Sequence, residues 1–273
     1  MIVDDYDRAR DGEPGFDKLW DNMLNGGVAR RFVERRNRLY AKLPSDPRCE
    51  SCHAPLSGWG GKLLKAVRGI ERSRGNDRLC NACEKHFYRH PGGAETDFTM
   101  VFADIRGSTA LASRIGPTEY SRLVNRFYKT AQNELFAAGG YIERVVGDEV
   151  VAIFARGMFG PDITQRAVDA GISLLRATGH GPGEPWAPLG IGIHHGRSWI
   201  GVLGSAEKTL ELTSLGDVPN MTARLCAEAA PGEIVISHAA LDELSAPPTV
   251  AQHRTLQPKG FDSPIEVGVI RTC

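Results

Sequence analysis

An α+β fold on the plan β-α-β-β-α-β, with further elements after it and a helical segment and a small cysteine module before it, is what this 273-residue chain predicts. Three observations carry that prediction. From Asp97 onward, short apolar runs alternate with longer segments of helical period. Two of those runs meet at Gly147-Asp148, the signature of a tight hairpin. Upstream, four of the six cysteines stand as two C-x-x-C pairs. This order of elements is the ferredoxin-like plan.

Residues 1–15 are polar and read as loosely ordered. Phe16, Leu19, Trp20, Met23 and Leu24 then recur at helical spacing until Asn25-Gly26-Gly27 interrupts them. A second helix is predicted over residues 28–43, with Val28, Phe32, Val33, Leu39 and Leu43 set among Arg30, Arg31, Arg35, Arg36 and Arg38. Its apolar stripe is expected to pack on its own domain or on a twin helix, leaving the basic face solvated. Three domains follow from this reading: a helical segment (1–47), a four-cysteine module (48–93) that ends in a linker at His90-Pro91-Gly92-Gly93, and a main domain (94–273).

In the main domain, Phe98 to Ala103 reads as a buried strand. Pro117 opens a helix lined by Tyr120, Val124, Phe127, Ala131 and Leu135, which Gly139-Gly140 ends. Tyr141 to Val146 and Glu149 to Phe154 are the hairpin strands. Pro161 to Ala177 and Asp217 to Ala229 read as helices, Leu189 to His195 and Glu233 to Ser237 as strands.

Lys plus Arg and Asp plus Glu number 33 each, so no global field draws the chain to nucleic acid or a membrane. No apolar stretch approaches the roughly 20 residues that cross a bilayer, and Met1 to Asp11 lacks a secretory h-region. A cytoplasmic protein with neither a membrane nor a nucleic-acid partner is the expectation. In that setting Cys49, Cys52, Cys80 and Cys83, with 27 residues between the pairs, point to metal ligation rather than disulfides. Two occupants suit four thiolates: a tetrahedral zinc or an iron–sulfur cluster. Cys226 and Cys273 show no spacing logic and read as a small core residue and a chain end.

Asp104 and Asp148 each sit where an apolar run hands over to a turn. Carboxylates at adjoining strand ends hold hard divalent cations against a substrate phosphate, so the chain reads as a metal-dependent phosphoryl or nucleotidyl enzyme. Asp104 alone would pass for a helix cap; Asp148 in register with it favours ligation. His194 and His195 lie in a strand that reads as structural. The glycines from Gly179 to Gly183 lack the Lys-Ser/Thr of a phosphate loop.

With these residues placed, the stretch from about Phe98 to Ile270 resembles the class III nucleotide cyclase catalytic domain, the adenylate and guanylate cyclases. The matching segments are Phe102-Ala103-Asp104-Ile105-Arg106-Gly107-Ser108-Thr109, Val146-Gly147-Asp148-Glu149-Val150, Gly192-Ile193-His194-His195-Gly196, Leu215 to Leu225, and Pro231-Gly232-Glu233-Ile234. The resemblance implies conversion of ATP to 3′,5′-cyclic AMP and pyrophosphate with two Mg²⁺ or Mn²⁺ ions per site. Asp104, Asp148 and the main-chain carbonyl of Ile105 would be the ligands. It further implies that Asn220 orients the ribose and Arg224 stabilises the α-phosphate. Four residues apart on a helix, these two point the same way. In such enzymes they come from the partner subunit, so a head-to-tail homodimer with two equivalent sites is implied.

Base recognition is where the chain departs from the family pattern. Arg144 and Thr213 occupy the adenine-contacting positions; Thr213 matches the subgroup with a Lys–Thr pair, whereas Arg144 replaces the usual Lys, a non-conservative swap. Pro219 stands where Val is common and fits the first turn of a helix. Lys259, in Pro258-Lys259-Gly260, sits where a cyclase lysine reaches the triphosphate. Leu79-Cys80-Asn81-Ala82-Cys83 resembles the second knuckle of GATA-type zinc fingers. The expected function is therefore an adenylate cyclase set by its cysteine module. Its competitors are a guanylate cyclase, decided by Arg144, and a DNA-binding regulator using the core for dimerisation.

Overall fold

The computed structural model describes residues 15–73, 78–205, 209–257, 261 and 263–272. Residues 1–14 of the stretch read as loosely ordered lie outside them, as does Lys259. In chain order the elements are α1 (Gly15–Leu24), α2 (Gly27–Ala41), α3 (Gly58–Arg68), α4 (Asn81–Arg89), β1 (Gly92–Ile105), α5 (Ser108–Ile115), α6 (Pro117–Ala137), β2 (Tyr141–Val146) and β3 (Glu149–Ala155). There follow α7 (Arg156–Phe159), α8 (Ile163–Ala177), β4 (Leu189–Ser205), β5 (Thr209–Leu215), α9 (Asp217–Glu228), β6 (Glu233–Ser237), α10 (His238–Leu241), β7 (Gln252–Leu256) and β8 (Ile265–Arg271). The chain divides into two compact units. One comprises residues up to Thr96 with Ala155–Pro161 and Ser198–Leu215; the other comprises Asp97–Phe154, Asp162–Arg197 and Gly216–Cys273.

In the first unit, α1 buries Trp20 and Leu24, and the Trp20 ring stacks on Phe87 of α4 at 6.3 Å between centroids. Its indole Nε1 donates to the carbonyl of His90 at 3.0 Å. The apolar stripe of α2 packs on its own unit only in part: Val33 and Leu43 are half-buried, whereas Phe32 is 67% and Leu39 60% exposed within the single chain. Glu34, Asn37 and Tyr40 face inward instead. The polar side chains of Asn37 and Glu34 find partners there, Asn37 donating to the Ser51 carbonyl at 3.3 Å and Glu34 pairing with Arg30 and Arg38, both at 3.4 Å. The expected linker at Gly92-Gly93 is the start of β1. A Cβ on Gly93 would stand 2.3 Å from the Ile200 carbonyl oxygen, so this glycine serves close approach of two backbones.

Strand β4 runs ten residues past the predicted His195. Its polar Arg197-Ser198 ends the apolar run without ending the strand, because β5 pairs with it from Trp199↔Leu215 to Ser205↔Thr209.

In the second unit the sheet runs β2-β3-β1-β4-β6-β8-β7, whose first four strands have the order of the ferredoxin-like plan. β4 and β6 are parallel, from Gly190↔Glu233 to Ile193↔Ile236, and their connection passes through α9. β6, β8 and β7 are antiparallel neighbours. Phe127, Ala131 and Leu135 of α6 and Val168, Leu174 and Leu175 of α8 fill the core against Val101, Ile142, Val150, Ile191 and Ile234. Burial of each large side chain there contributes about 1.5–3 kcal/mol. A smaller cluster of Met221, Leu225, Val235, Val267 and Val269 seats α9. Among the described residues no helix is long and apolar enough to cross a membrane.

Candidate active site and four-cysteine centre

The carboxylate pair arises from two strand ends. Phe98 to Ala103 is buried almost completely, and the chain leaves the sheet at Asp104, while Ile105 plugs the core. Gly107, at φ 67°, then takes the left-handed turn that starts α5. On the neighbouring hairpin, Val146 pairs with Glu149 around Gly147-Asp148, with Gly147 at φ 61°. The amide of Ile105 donates to the carbonyl of Asp148 at 3.3 Å, which ties the two ends together. The hydroxyl of Tyr128, from α6, donates to the Gly147 carbonyl at 2.5 Å and holds the turn from the other side.

Both aspartates are half-buried. Asp104 forms an ion pair with Arg106, whose amide donates to the Pro188 carbonyl at 2.7 Å and whose guanidinium donates to the Cys226 carbonyl at 3.3 Å. Burial raises the Glu149 carboxyl above its ordinary range, opposed by Arg144 and Arg106 and reinforced by Asp148. Burial and then the Asp148 charge likewise raise the Tyr128 phenol. Hard oxygen donors fixed side by side fit a divalent cation of the Mg²⁺ or Mn²⁺ kind.

Arg144 is exposed on β2, and its guanidinium stands 5.7 Å from the centroid of the Phe102 ring. Phe102 and Asp104 share one face of β1, so Arg144 lies over the carboxylate side. Asn220 and Arg224 are both exposed, one turn apart on α9, whose other side buries Val218, Met221, Thr222, Leu225 and Cys226. Pro219 occupies the first turn of that helix, as the sequence suggested. Thr213 belongs to the other unit, half-buried on β5 opposite Gly201.

The histidines of β4 are structural. His194 Nδ1 lies 2.7 Å from the Ser237 hydroxyl, and burial, then His195, lowers its pKa to about 4 despite Asp217. His195 Nδ1 lies 3.0 Å from the hydroxyl of Thr99 and 3.3 Å from that of Thr164. Sequence reading missed Tyr128 and Arg106. Tyr128 carried no signal, being one polar-tipped residue beside the apolar stripe of α6. Arg106 stood inside a quoted motif, with nothing in the spacing to say that it links the end of β1 to the residue before β4 and to helix α9.

The four cysteines of the first unit are all buried and form one group, their sulfur atoms lying within 4.8 Å of one another. Cys49 accepts from His53 and donates to Ala54 through its backbone, both at 2.8 Å, to shape the first knuckle. In the second, the Cys83 amide donates to the Cys80 sulfur at 3.4 Å, so Cys80 caps α4. Glu50 and Arg78 join the knuckles through a side-chain bond at 2.7 Å and an amide-to-carbonyl bond at 3.0 Å. Hydrogen bonds from Cys49, Cys52 and Cys83 drive the Cys80 thiol far down, toward thiolate.

Known proteins resemble this chain over the stretch that carries both aspartates. The family model described as the adenylate and guanylate cyclase catalytic domain matches residues 93–260. An adenylate cyclase of Anabaena cylindrica is 27% identical over 218 residues, covering 76% of this chain and 43% of that protein. An uncharacterized protein of Mycobacterium tuberculosis is 31% identical over 186 residues, covering 65% of this chain and 34% of that protein. The chain thus spans less than half the length of these relatives. Among solved structures, the guanylyl cyclase Cya2 superposes with a TM-score of 0.59 at 28% identity, covering 65% of this chain and 93% of that one. The adenylyl cyclase CyaB from P. aeruginosa gives 0.57 at 25% identity, covering 67% and 97%.

Proposed function

This chain belongs to the adenylate and guanylate cyclase catalytic-domain family, and on that premise we propose that it converts ATP to 3′,5′-cyclic AMP and pyrophosphate at a site shared by two copies of the chain. The observation that carries the reading is the Ile105–Asp148 backbone bond, which sets two carboxylate-bearing strand ends side by side.

In the reaction, the ribose 3′-oxygen forms a bond to the α-phosphorus, the bond from that phosphorus to the β-phosphate oxygen breaks, and pyrophosphate departs with the hydroxyl proton released to solvent. Asp104, Asp148 and the Ile105 carbonyl would hold divalent cations, whose chemistry when bound would be to acidify the 3′-hydroxyl and neutralise the phosphates. The protein's own groups do the rest. Arg224 lays its planar fork on the non-bridging α-phosphate oxygens as their charge grows, and Asn220, on the same helix face, fixes the ribose. Both are exposed outward from α9, as a group serving a partner's site requires. By the family resemblance alone, Arg144 is assigned adenine N1, Thr213 the second base contact and Lys259 the triphosphate.

ATP is preferred to GTP because Thr213 matches the adenine-reading subgroup. The guanylyl cyclase reading has its own support in Arg144, whose fork differs from the usual Lys. The cysteine centre binds a metal, zinc or an iron–sulfur cluster, and sets activity from its place just before β1. Turnover of the full chain with ATP and with GTP, each with Mg²⁺ and Mn²⁺, tests the proposal. Cyclic AMP as the dominant product supports it; no cyclic nucleotide with either substrate removes it.

A further inference from the structure

The geometry points to a single zinc ion, bound by Cys49, Cys52, Cys80 and Cys83 as a closed tetrahedral site, and not to an iron–sulfur cluster. The inference rests on reading the four thiols as metal ligands, and it is independent of the cyclase chemistry.

Sulfur spacing decides the matter. A tetrahedron with zinc–sulfur bonds of about 2.3 Å has edges of about 3.8 Å. The Cys52 and Cys80 sulfurs, one from each knuckle, are 3.8 Å apart, and all four lie within 4.8 Å of one another. That distance is far beyond a disulfide bond of about 2.0 Å. It is also too short for a cluster. A four-iron cubane carries each cysteine on a different corner, outside the iron and sulfide atoms, so its ligands are spread well past this spacing. A two-iron cluster separates its cysteines into pairs on opposite irons, which again holds one pair away from the other. Only one ion fits between sulfurs this close.

The surroundings suit a closed structural site. All four cysteines are at most 7% exposed, leaving no open position for water or substrate. Thiolates bind zinc more tightly than ferrous iron, in keeping with the order of divalent-metal affinities. The ion would close the segment that holds α3 and fix Cys80 at the start of α4, whose other end runs within three residues into β1.

The full chain, purified without oxygen or added metal, is analysed for zinc, iron and acid-labile sulfide beside Cys52→Ser and Cys226→Ser variants. About one zinc per chain, no sulfide and a colourless solution are expected for the wild type and Cys226→Ser, with zinc reduced at least about five-fold in Cys52→Ser. Should Cys52→Ser fail to fold, cobalt exchanged into the wild type is the second measurement, and a tetrahedral tetrathiolate spectrum is the expected result. Iron with sulfide, iron without sulfide, or no metal with all four thiols freely titratable would each overturn the inference. Turnover is assayed on the same samples, so zinc without turnover counts against the cyclase reading alone, and turnover without zinc counts against this one alone.

Discussion

The amide of Ile105 and the carbonyl of Asp148 meet at 3.3 Å, so a single backbone bond joins the strand end that carries Asp104 to the turn that carries Asp148. Two carboxylates are thereby held on main chain rather than on mobile side chains alone. Asp148→Ala should lower turnover by at least about a thousand-fold. Both groups are half-buried, so thermal stability should change by no more than about 1 kcal/mol. Parallel activity and melting measurements check this; loss of fold together with activity would assign Asp148 a structural role.

Tyr128 acts through that turn rather than on substrate. Removing its hydroxyl in Tyr128→Phe deletes the 2.5 Å bond to Gly147 and leaves the Asp148 loop freer. The expected result is a shift of the Mg²⁺ activation midpoint to higher concentration, by about three- to ten-fold, at a stability cost of about 1 kcal/mol. An unshifted midpoint would make Tyr128 a packing residue only.

Arg144, poised over Phe102 on the carboxylate side, is the residue to exchange for base choice. Arg144→Lys should raise the ratio of kcat/KM for ATP over GTP by about ten-fold, since a compact ammonium restores the family's adenine donor. Steady-state kinetics with both nucleotides decide it. An unchanged ratio would remove Arg144 from the base pocket.

Acid should destabilise the second unit through His194. Burial lowers its pKa from the ordinary histidine value of about 6.5 to about 4, so below pH 6.5 the unfolded chain takes up a proton that the native imidazole refuses until about pH 4. Stability from this group is therefore lost as pH falls through that window, by about 1–3 kcal/mol. Urea midpoints measured at pH 7 and pH 5 should differ more in the wild type than in His194→Gln. Equal pH dependence in the two proteins would contradict the assignment.

Legibility differed by the range of the interaction involved. Asp104, Asp148 and the β2–β3 hairpin were legible because strand alternation and the Gly147 turn are local signals. The helix of Asn220 and Arg224 was legible for the same reason. The inward face of α2 was not, since Glu34 and Asn37 are buried only because Arg30, Arg38 and the Ser51 carbonyl satisfy them. Nor were the start of β1 at Gly92 and the far half of β4, which depend on strands distant in sequence. Glu233 shows a third case. Its motif suggested family membership alone, while the structure gives it a buried carboxylate held by Arg254 at 2.8 Å and Arg271 at 2.6 Å.

The shared pocket is tested most directly by mixing two inactive proteins, Asp148→Ala and Arg224→Ala, each folded and able to associate. A mixed dimer would contain one pocket with every group intact, so turnover should return to about a quarter of the wild-type level, since about half of the dimers are mixed and each has one working site of two. If the mixture stays as inactive as its components, although mixed dimers have formed, carboxylates and guanidinium do not meet across two chains and the account fails.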